Sequence, residues 1–318
     1  MPLRSALPSR ASATRQFDPS PARPRVGVIG AGRAGAVVAA ALHAAGYPIV
    51  GTVAVSAASR ERAARLLPGT PIRPADEVAA NCDLLLLAVP DDALGPLVAG
   101  LAATGSLSRG QYVAHLSGRH GLDVLAAATA RGAIPMALHP AMTLTGATSD
   151  VERLRGAAFG VTVAPLAADL AAQLIQDIGG THVPVAEEFR PLWHAGLAHG
   201  ANHLVTLVSS AADVLLAAGA TDPAAVLGPL LSAALGNALA AGDSALTGPV
   251  ARGDAGTVRA HLDALDASVP SERGTYLGLA RATASRLADL PEPEMLDVLA
   301  DVGARPHRQV TIDLSEAL

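Results

Sequence analysis

The sequence predicts an α/β protein in which a doubly wound parallel sheet is followed by an all-helical domain. Three observations carry this. A glycine-rich turn, Gly30-Ala31-Gly32-Arg33-Ala34-Gly35, lies between a short apolar run and a helical pattern. Strand-like and helical stretches alternate from residue 25 to residue 186, as in sheets with helices on both faces. From residue 187 onward, apolar residues recur only at helical spacing. The implied division is a disordered tail over 1–24, a dinucleotide-binding Rossmann domain over 25–186 and a helical substrate and dimerisation domain over 187–318.

Each element has its own signal. Val26-Gly27-Val28-Ile29 reads as a buried strand, and Ala34 to Ala45 as a helix with Gly46 at its C-terminal cap. Pro48 to Val55 is a second strand, and a third short one lies near Ile72. Leu84-Leu85-Leu86-Leu87-Ala88-Val89, bounded by Asp83 and Pro90, has the pattern of an inner parallel strand. Further strands are expected at 111–116, 133–138, 159–163 and 182–185, with a helix over 165–178. Helices are then expected over 187–220, 222–241, 254–266, 271–289 and 293–303.

Composition narrows the function classes. The chain has 318 residues, 50% of them hydrophobic, enough to build two cores. The net charge is only −5 and aromatics make up 2%, so neither a basic face nor stacking platforms argue for nucleic acid. The lone Cys82 excludes an internal disulfide and fits a cytoplasmic protein. No uninterrupted apolar run reaches membrane-spanning length; Leu204 to Ala220 is short and contains Asp213, so no membrane partner is expected. Residues 1–24 hold several Arg, Ser and Pro and one acid, and read as a tail.

The glycine turn points to a dinucleotide. Gly30 permits the tight turn, Gly32 lets the backbone approach a pyrophosphate, and Gly35 lets helix and strand pack closely. With Ala31, Arg33 and Ala34 they form the expected phosphate cradle at a helix N-terminus. About 20 residues further on, NAD binders place an acid on the ribose hydroxyl. This chain has Val55-Ser56-Ala57-Ala58-Ser59-Arg60-Glu61-Arg62 there. Ser59 and Arg60 suit a 2′-phosphate, so NADP is preferred to NAD, and Ser56 is a further candidate cofactor contact. Alternatively, Arg60 and Arg62 form a solvated helix face. Val89-Pro90-Asp91-Asp92 ends a strand at the ligand-binding edge, with Asp91 and Asp92 expected to cap the next helix. Val89, Pro90 and Ser117 are candidate cofactor contacts.

Histidines supply candidate chemistry, because His can donate a proton or polarise a carbonyl near neutral pH. His115-Leu116-Ser117-Gly118 and His139-Pro140-Ala141-Met142-Thr143 each end a strand where a nicotinamide would lie, although a structural role is open to either His. His194 and Asn202 share a broad face of the first helix of the second domain. His199 and His203 have metal-chelating spacing but no third ligand follows, so no metal is expected. The segment Ala245 to Asp254 breaks two helices with Thr247-Gly248-Pro249 and presents Arg252, either to a substrate carboxylate or to an ion pair within the domain, while Asp254 caps the next helix.

Taken together, these segments resemble the Rossmann-like oxidoreductases whose C-terminal half is domain of unknown function 2520. The residues that carry the resemblance are Val28 to Arg33, Ala88 to Asp91, His115 to Gly118, His139 to Thr143, Trp193-His194-Ala195, Asn202 and Ala245 to Asp254. The alanine-rich style resembles an actinobacterial member. The resemblance implies kinship with ketopantoate reductase, 6-phosphogluconate dehydrogenase and deazaflavin-dependent NADP oxidoreductases. It implies a 6-phosphogluconate-dehydrogenase-like helical domain and NADPH reduction of a 2-oxo acid. The dehydrogenase relatives carry a Lys and an Asn four residues apart. Here Asn202 fills the Asn place, but Ala198 stands where the Lys would be.

The expectation is therefore an NADP-dependent oxidoreductase acting on a small carboxylated ketone, with 2-dehydropantoate as one candidate. His194 would give the proton, Asn202 orient the oxygen and Arg252 hold the carboxylate, with His115, His139 and Thr247 near the nicotinamide or substrate. Alternatives are a non-catalytic dinucleotide sensor, an imine reductase and a deazaflavin-linked reductase. A homodimer through the helical domain is expected, since its helices are apolar on more than one face.

Overall fold

The structure is a computed structural model that describes residues 23–287 and 292–300. The chain divides into two compact units, one up to Ala201 and one from Asn202. The tail reading for 1–24 falls almost wholly outside the described residues, as does the end of the last expected helix.

The first unit is built on a seven-stranded sheet of order β2-β1-β3-β4-β5-β6-β7. In chain order its elements are β1 (Val26–Ile29), α1 (Arg33–Ala44), β2 (Ile49–Val53), α2 (Ala57–Leu66), α3 (Ala75–Ala80), β3 (Leu84–Leu87), α4 (Asp91–Ala103) and β4 (Tyr112–His115). There follow α5 (Ala126–Thr129), β5 (Ile134–Pro140), α6 (Ser149–Arg153), β6 (Ala158–Val163), α7 (Ala168–Asp177) and β7 (Thr181–Pro184). The four leucines of β3 are all buried, and alternate ones enter different cores. Leu84 and Leu86 join the cluster with α1 and α7, while Leu85 and Leu87 join the cluster with α3 and α4. Helices thus cover both faces, as a parallel sheet requires. Strands β1 to β5 are parallel, so their carboxyl ends share one edge.

Two sequence expectations are corrected here. The stretch near Ile72 is not a strand; it makes a single bridge to Thr52. Asp91 and Asp92 do not cap α4, whose N-cap is Pro90 with no side-chain bond. They occupy the first turn, where negative charge suits the helix dipole, and both pair with Arg119. The sheet also contains a reversal the sequence did not announce. Strand β6 runs antiparallel to β5, placing Gly160 opposite His139.

Beyond β7 every regular element among the described residues is helical: α8 (Arg190–Ala217), α9 (Pro223–Ala241), α10 (Ala255–Ser268), α11 (Arg273–Ala284) and α12 (Pro293–Ala300). The boundary between the two units falls inside α8. Asp254 caps α10 by accepting from the Thr257 N–H, as its position predicts. Val258, Leu262, Leu277, Met295 and Val298 form the core of the second unit. The sequence reading found no membrane-spanning run. Once helix boundaries are fixed, Glu187–Ala217 and Pro223–Ala245 are long and apolar enough by length and composition, and almost none of either is buried.

Candidate functional site

The glycine turn folds as its sequence requires. Gly30 has a φ of 106°, and a Cβ there would lie 2.4 Å from the Ala88 carbonyl oxygen. A Cβ on Gly35 would lie 2.1 Å from the Gly30 oxygen. Gly32 differs. A Cβ there meets nothing closer than the Ala88 oxygen at 3.8 Å, so the protein itself does not demand glycine. Gly32 is the N-cap of α1, and no side chain caps the helix. The first intrahelical bond runs from Ala36 to Gly32, which leaves the N–H groups of the first turn for an anion. Around the turn lie Ala31, which is buried, Ala34, which is half-buried, and the exposed side chain of Arg33. An open approach at Gly32 beside uncapped helix donors fits a pyrophosphate.

After β2 the chain turns into α2 at Ser56, whose Oγ accepts from Ser59 N. Ser59 is buried, and its hydroxyl donates back to the Ser56 carbonyl. Ser59 is therefore used in the cap, and of the two residues expected at the 2′-phosphate Arg60 remains exposed, as does the neighbouring cofactor candidate Ser56. Arg62 is not a solvated side chain: its guanidinium donates to the Ala31 carbonyl at 3.0 Å. Arg65 donates to Gly146 O at 2.9 Å. Neither contact was legible beforehand, because both partners are backbone groups distant in sequence.

The loops after β3, β4 and β5 meet at the carboxyl edge of the sheet. Val89 and Ser117 there are half-buried, and Pro90 is exposed. His115 is wholly buried. Its Nδ1 accepts from Ser117 N, and its Nε2 donates to Gly121 O at 2.8 Å. Burial pushes its pKa down to about 4. Both nitrogens are satisfied, so His115 is a neutral brace for the 117–121 loop and has no proton to offer.

His139 is placed otherwise. At the end of β5 it is half-buried, and Nδ1 accepts from the Trp193 indole N–H at 3.3 Å. Nε2 therefore carries the proton. Burial, reinforced by the Arg190 charge, pushes its pKa down to about 4. His194 meets His139 edge to face, with ring centroids 5.7 Å apart. Gly118 makes room for both rings. A Cβ there would sit 2.5 Å from His194 and 2.9 Å from His139 Nε2. Gly160 does the same for Trp193, since a Cβ there would lie 2.6 Å from the indole.

Arg190 and Glu187 hold this arrangement, and sequence reasoning missed both. The Arg190 side chain is fully buried. It donates to the carbonyls of His120, Gly160 and Ser117. Burial lowers its pKa to about 10. Glu187 accepts from the N–H groups of Leu122 and Asp123. Only the register of the antiparallel pair reveals why an Arg three residues before Trp193 reaches Gly160.

Three expected site residues belong to the second unit. Asn202 lies exposed on α8, and Arg252 is exposed in the turn before α10. Thr247 lines an apolar cavity of about 820 Å³, together with Leu207, Val214, Leu230 and Tyr276. At its wall Ser210 donates to Glu272.

Comparison with known proteins agrees with this fold. Residues 9–140 match the Rossmann-like domain family, and residues 157–283 match domain of unknown function 2520. The chain is a Rossmann-like protein with a domain of unknown function 2520. Among curated proteins nothing matches. Among solved structures, a Bacteroides fragilis protein designated a candidate NADP oxidoreductase shares 18% identity at a TM-score of 0.69, over 82% of this chain and 98% of that one. An imine reductase from Myxococcus stipitatus, in complex with NAD+, shares 16% identity at 0.56, over 87% and 99%. Plasmodium falciparum pyrroline carboxylate reductase, with NADP bound, shares 11% at 0.53, over 82% and 95%. At these identities the likeness establishes the fold.

Proposed function

We propose that this protein is an NADP-dependent oxidoreductase that reduces a small carboxylated ketone, with 2-dehydropantoate among the substrates to be tried first. The open Gly32 position beside uncapped helix donors carries the reading, with a histidine pair at the same sheet edge. The relatives of this fold that hold NADP or NAD+ support it. Gly30 to Gly35 would hold the pyrophosphate, while Arg33, Ser56 and Arg60 would receive the 2′-phosphate. When bound, NADPH supplies the hydride. His194 would then deliver the proton to the substrate oxygen, Asn202 would orient that oxygen, and Arg252 would hold the carboxylate. The absence of Lys at Ala198 leaves His194 as the acid nearest to the His139 edge.

The same reading makes the protein a cytoplasmic homodimer in which the exposed apolar faces of α8 and α9 are covered by a second copy. Leu230, Leu235 and Leu239 on α9 are 62%, 50% and 81% exposed, an apolar face that a second copy would cover. The deciding experiment is NADPH oxidation against a panel of 2-oxo acids that includes ketopantoate, with NADH as control. Oxidation by at least one acid, with NADPH preferred, is expected. No oxidation with any of them overturns the reading.

A further inference from the structure

The cluster around His139 carries more than proximity to a cofactor. Its Nδ1 is taken by Trp193, so the ring is fixed as the tautomer with hydrogen on Nε2. Nε2 has no acceptor among the described residues. It lies against the Cα of Gly118, beside the edge of His194. The ring is thus a preorganised donor without a partner. Because its proton is not shared with the protein, it is free for an acceptor on a ligand.

The charges around it select what that acceptor is. Arg190, His194, Asp91 and His115 are the groups whose fields reach the ring. Arg190 is buried and hydrogen-bonded only to neutral carbonyls, and the carboxylate whose field reaches it, Glu187, is itself held by the N–H groups of Leu122 and Asp123. The one carboxylate, Asp91, is paired with Arg119 at 3.2 Å. His115 is held neutral by burial, and its Nδ1 is already taken as the acceptor of the Ser117 N–H. A neutral donor in a net positive setting stabilises an oxygen that becomes more negative during reduction. It repels a substrate that arrives as a cation.

Resting on the reductase reading above, we propose that His139, fixed by Trp193, donates Nε2–H to the carbonyl oxygen of the substrate and so selects a substrate whose reacting group is a neutral carbonyl over one whose reacting group is a cationic iminium. No proton is transferred from His139; it holds the oxygen while His194 supplies the proton. Trp193 is a positioning residue that acts through the tautomer.

The test uses the full chain with ¹⁵N-labelled histidine. At pH 7, His139 is expected to show a protonated Nε2 and a bare Nδ1, and Trp193→Phe to lose that bias. With NADP+ present, 2-oxoisovalerate is expected to shift the Nε2 resonance, and the permanently charged 1-methyl-1-pyrrolinium to leave it unmoved. His139→Gln keeps an amide N–H at the Nε2 position, and is expected to retain the response and kcat within about ten-fold. His139→Leu is expected to lose about 100-fold in kcat, with KM for NADPH unchanged. A cationic or Nδ1-protonated His139, an Nε2 that ignores the oxo acid, or a stronger response to the iminium overturns the proposal. A shifted Nε2 without NADPH oxidation keeps the binding assignment and sinks the catalytic one.

Discussion

The Trp193 indole donates its N–H to Nδ1 of His139 at 3.3 Å, and two glycines make that bond geometrically possible. Gly160 faces His139 across the antiparallel β5–β6 ladder, and its missing side chain is the space the indole fills. Gly118 does the same for the two imidazoles. The histidine pair is therefore specified by what one position inside β6 and one in the loop after β4 lack as much as by the rings themselves.

Gly160→Ala tests this directly. Its Cβ would lie 2.6 Å from the indole, a distance that forces Trp193 away from His139. The expected cost is about 1–3 kcal/mol of stability from overpacking, measured by urea denaturation. Wild-type stability together with an unchanged Trp193 fluorescence spectrum would show that the ring has room to spare.

Gly32→Ala and Gly35→Ala separate ligand from fold. Alanine at 32 has space within the protein, whereas at 35 it strikes the Gly30 carbonyl at 2.1 Å. Gly32→Ala is expected to keep its melting temperature within about 2 °C, an effect of less than ~0.5 kcal/mol. It should weaken NADPH binding by ten-fold or more in calorimetry, because the methyl enters the pyrophosphate approach. Gly35→Ala should cost about 3 kcal/mol of stability. Full NADPH affinity in Gly32→Ala would remove the cofactor from this turn.

How far the sequence led depends on the range of the signal. The strand-turn-helix at 26–44 was legible because its determinants are local: an apolar run, three glycines and a helical stretch. The change to helices after residue 186 was legible for the same reason. Ser59 looked like a phosphate ligand because its hydroxyl is near the right place in sequence; the α2 cap uses it, and the two patterns are indistinguishable without coordinates. Arg190 escaped notice because its three acceptors are backbone carbonyls on segments 30 to 73 residues away. No side-chain pattern encodes such contacts. The direction of β6 was equally hidden, since alternation of strands and helices does not fix it.

Arg190→Met should expose that hidden dependence. The substitution removes donors from three carbonyls, two of them on the loop after β4 and one on β6. Leaving buried acceptors unpaired costs about 1–3 kcal/mol each, so a total loss of about 3 kcal/mol or more is expected in chemical denaturation. Arg190→Lys should recover only part, because an ammonium cannot fork to three carbonyls. A loss below about 1 kcal/mol in Arg190→Met would mean that water replaces the guanidinium.

Leu239→Arg addresses the helical unit. Leu239 is 81% exposed on α9, so an arginine there costs the isolated chain little. If a second copy covers that face, the charge is buried at the interface and dissociates it. Sedimentation at micromolar concentration should give a dimer for wild type and a shift to monomer for the variant. A monomeric wild type would leave these faces to another partner.

The buried imidazoles set the acid limit of stability. His115 and His139 both have folded pKa values lowered to about 4, by burial first and the Arg190 charge after it. In the unfolded chain a histidine titrates near 6.5. Between those values the unfolded chain binds the more protons, so stability is complete above pH 6.5 and is lost as pH falls toward 4. For His115, which is fully buried, the loss is about 3 kcal/mol. His139 adds in the same direction. The carboxylates that gain from folding, such as Asp254, have pKa values lowered from 3.8 and act below this window. The midpoint of urea denaturation should therefore fall steadily from pH 6.5 to pH 4. His115→Asn should flatten that slope while lowering the plateau, because an amide satisfies fewer of the backbone partners but does not charge. A denaturation midpoint that stays level from pH 6.5 to pH 4 would mean that both rings reach water before the fold gives way.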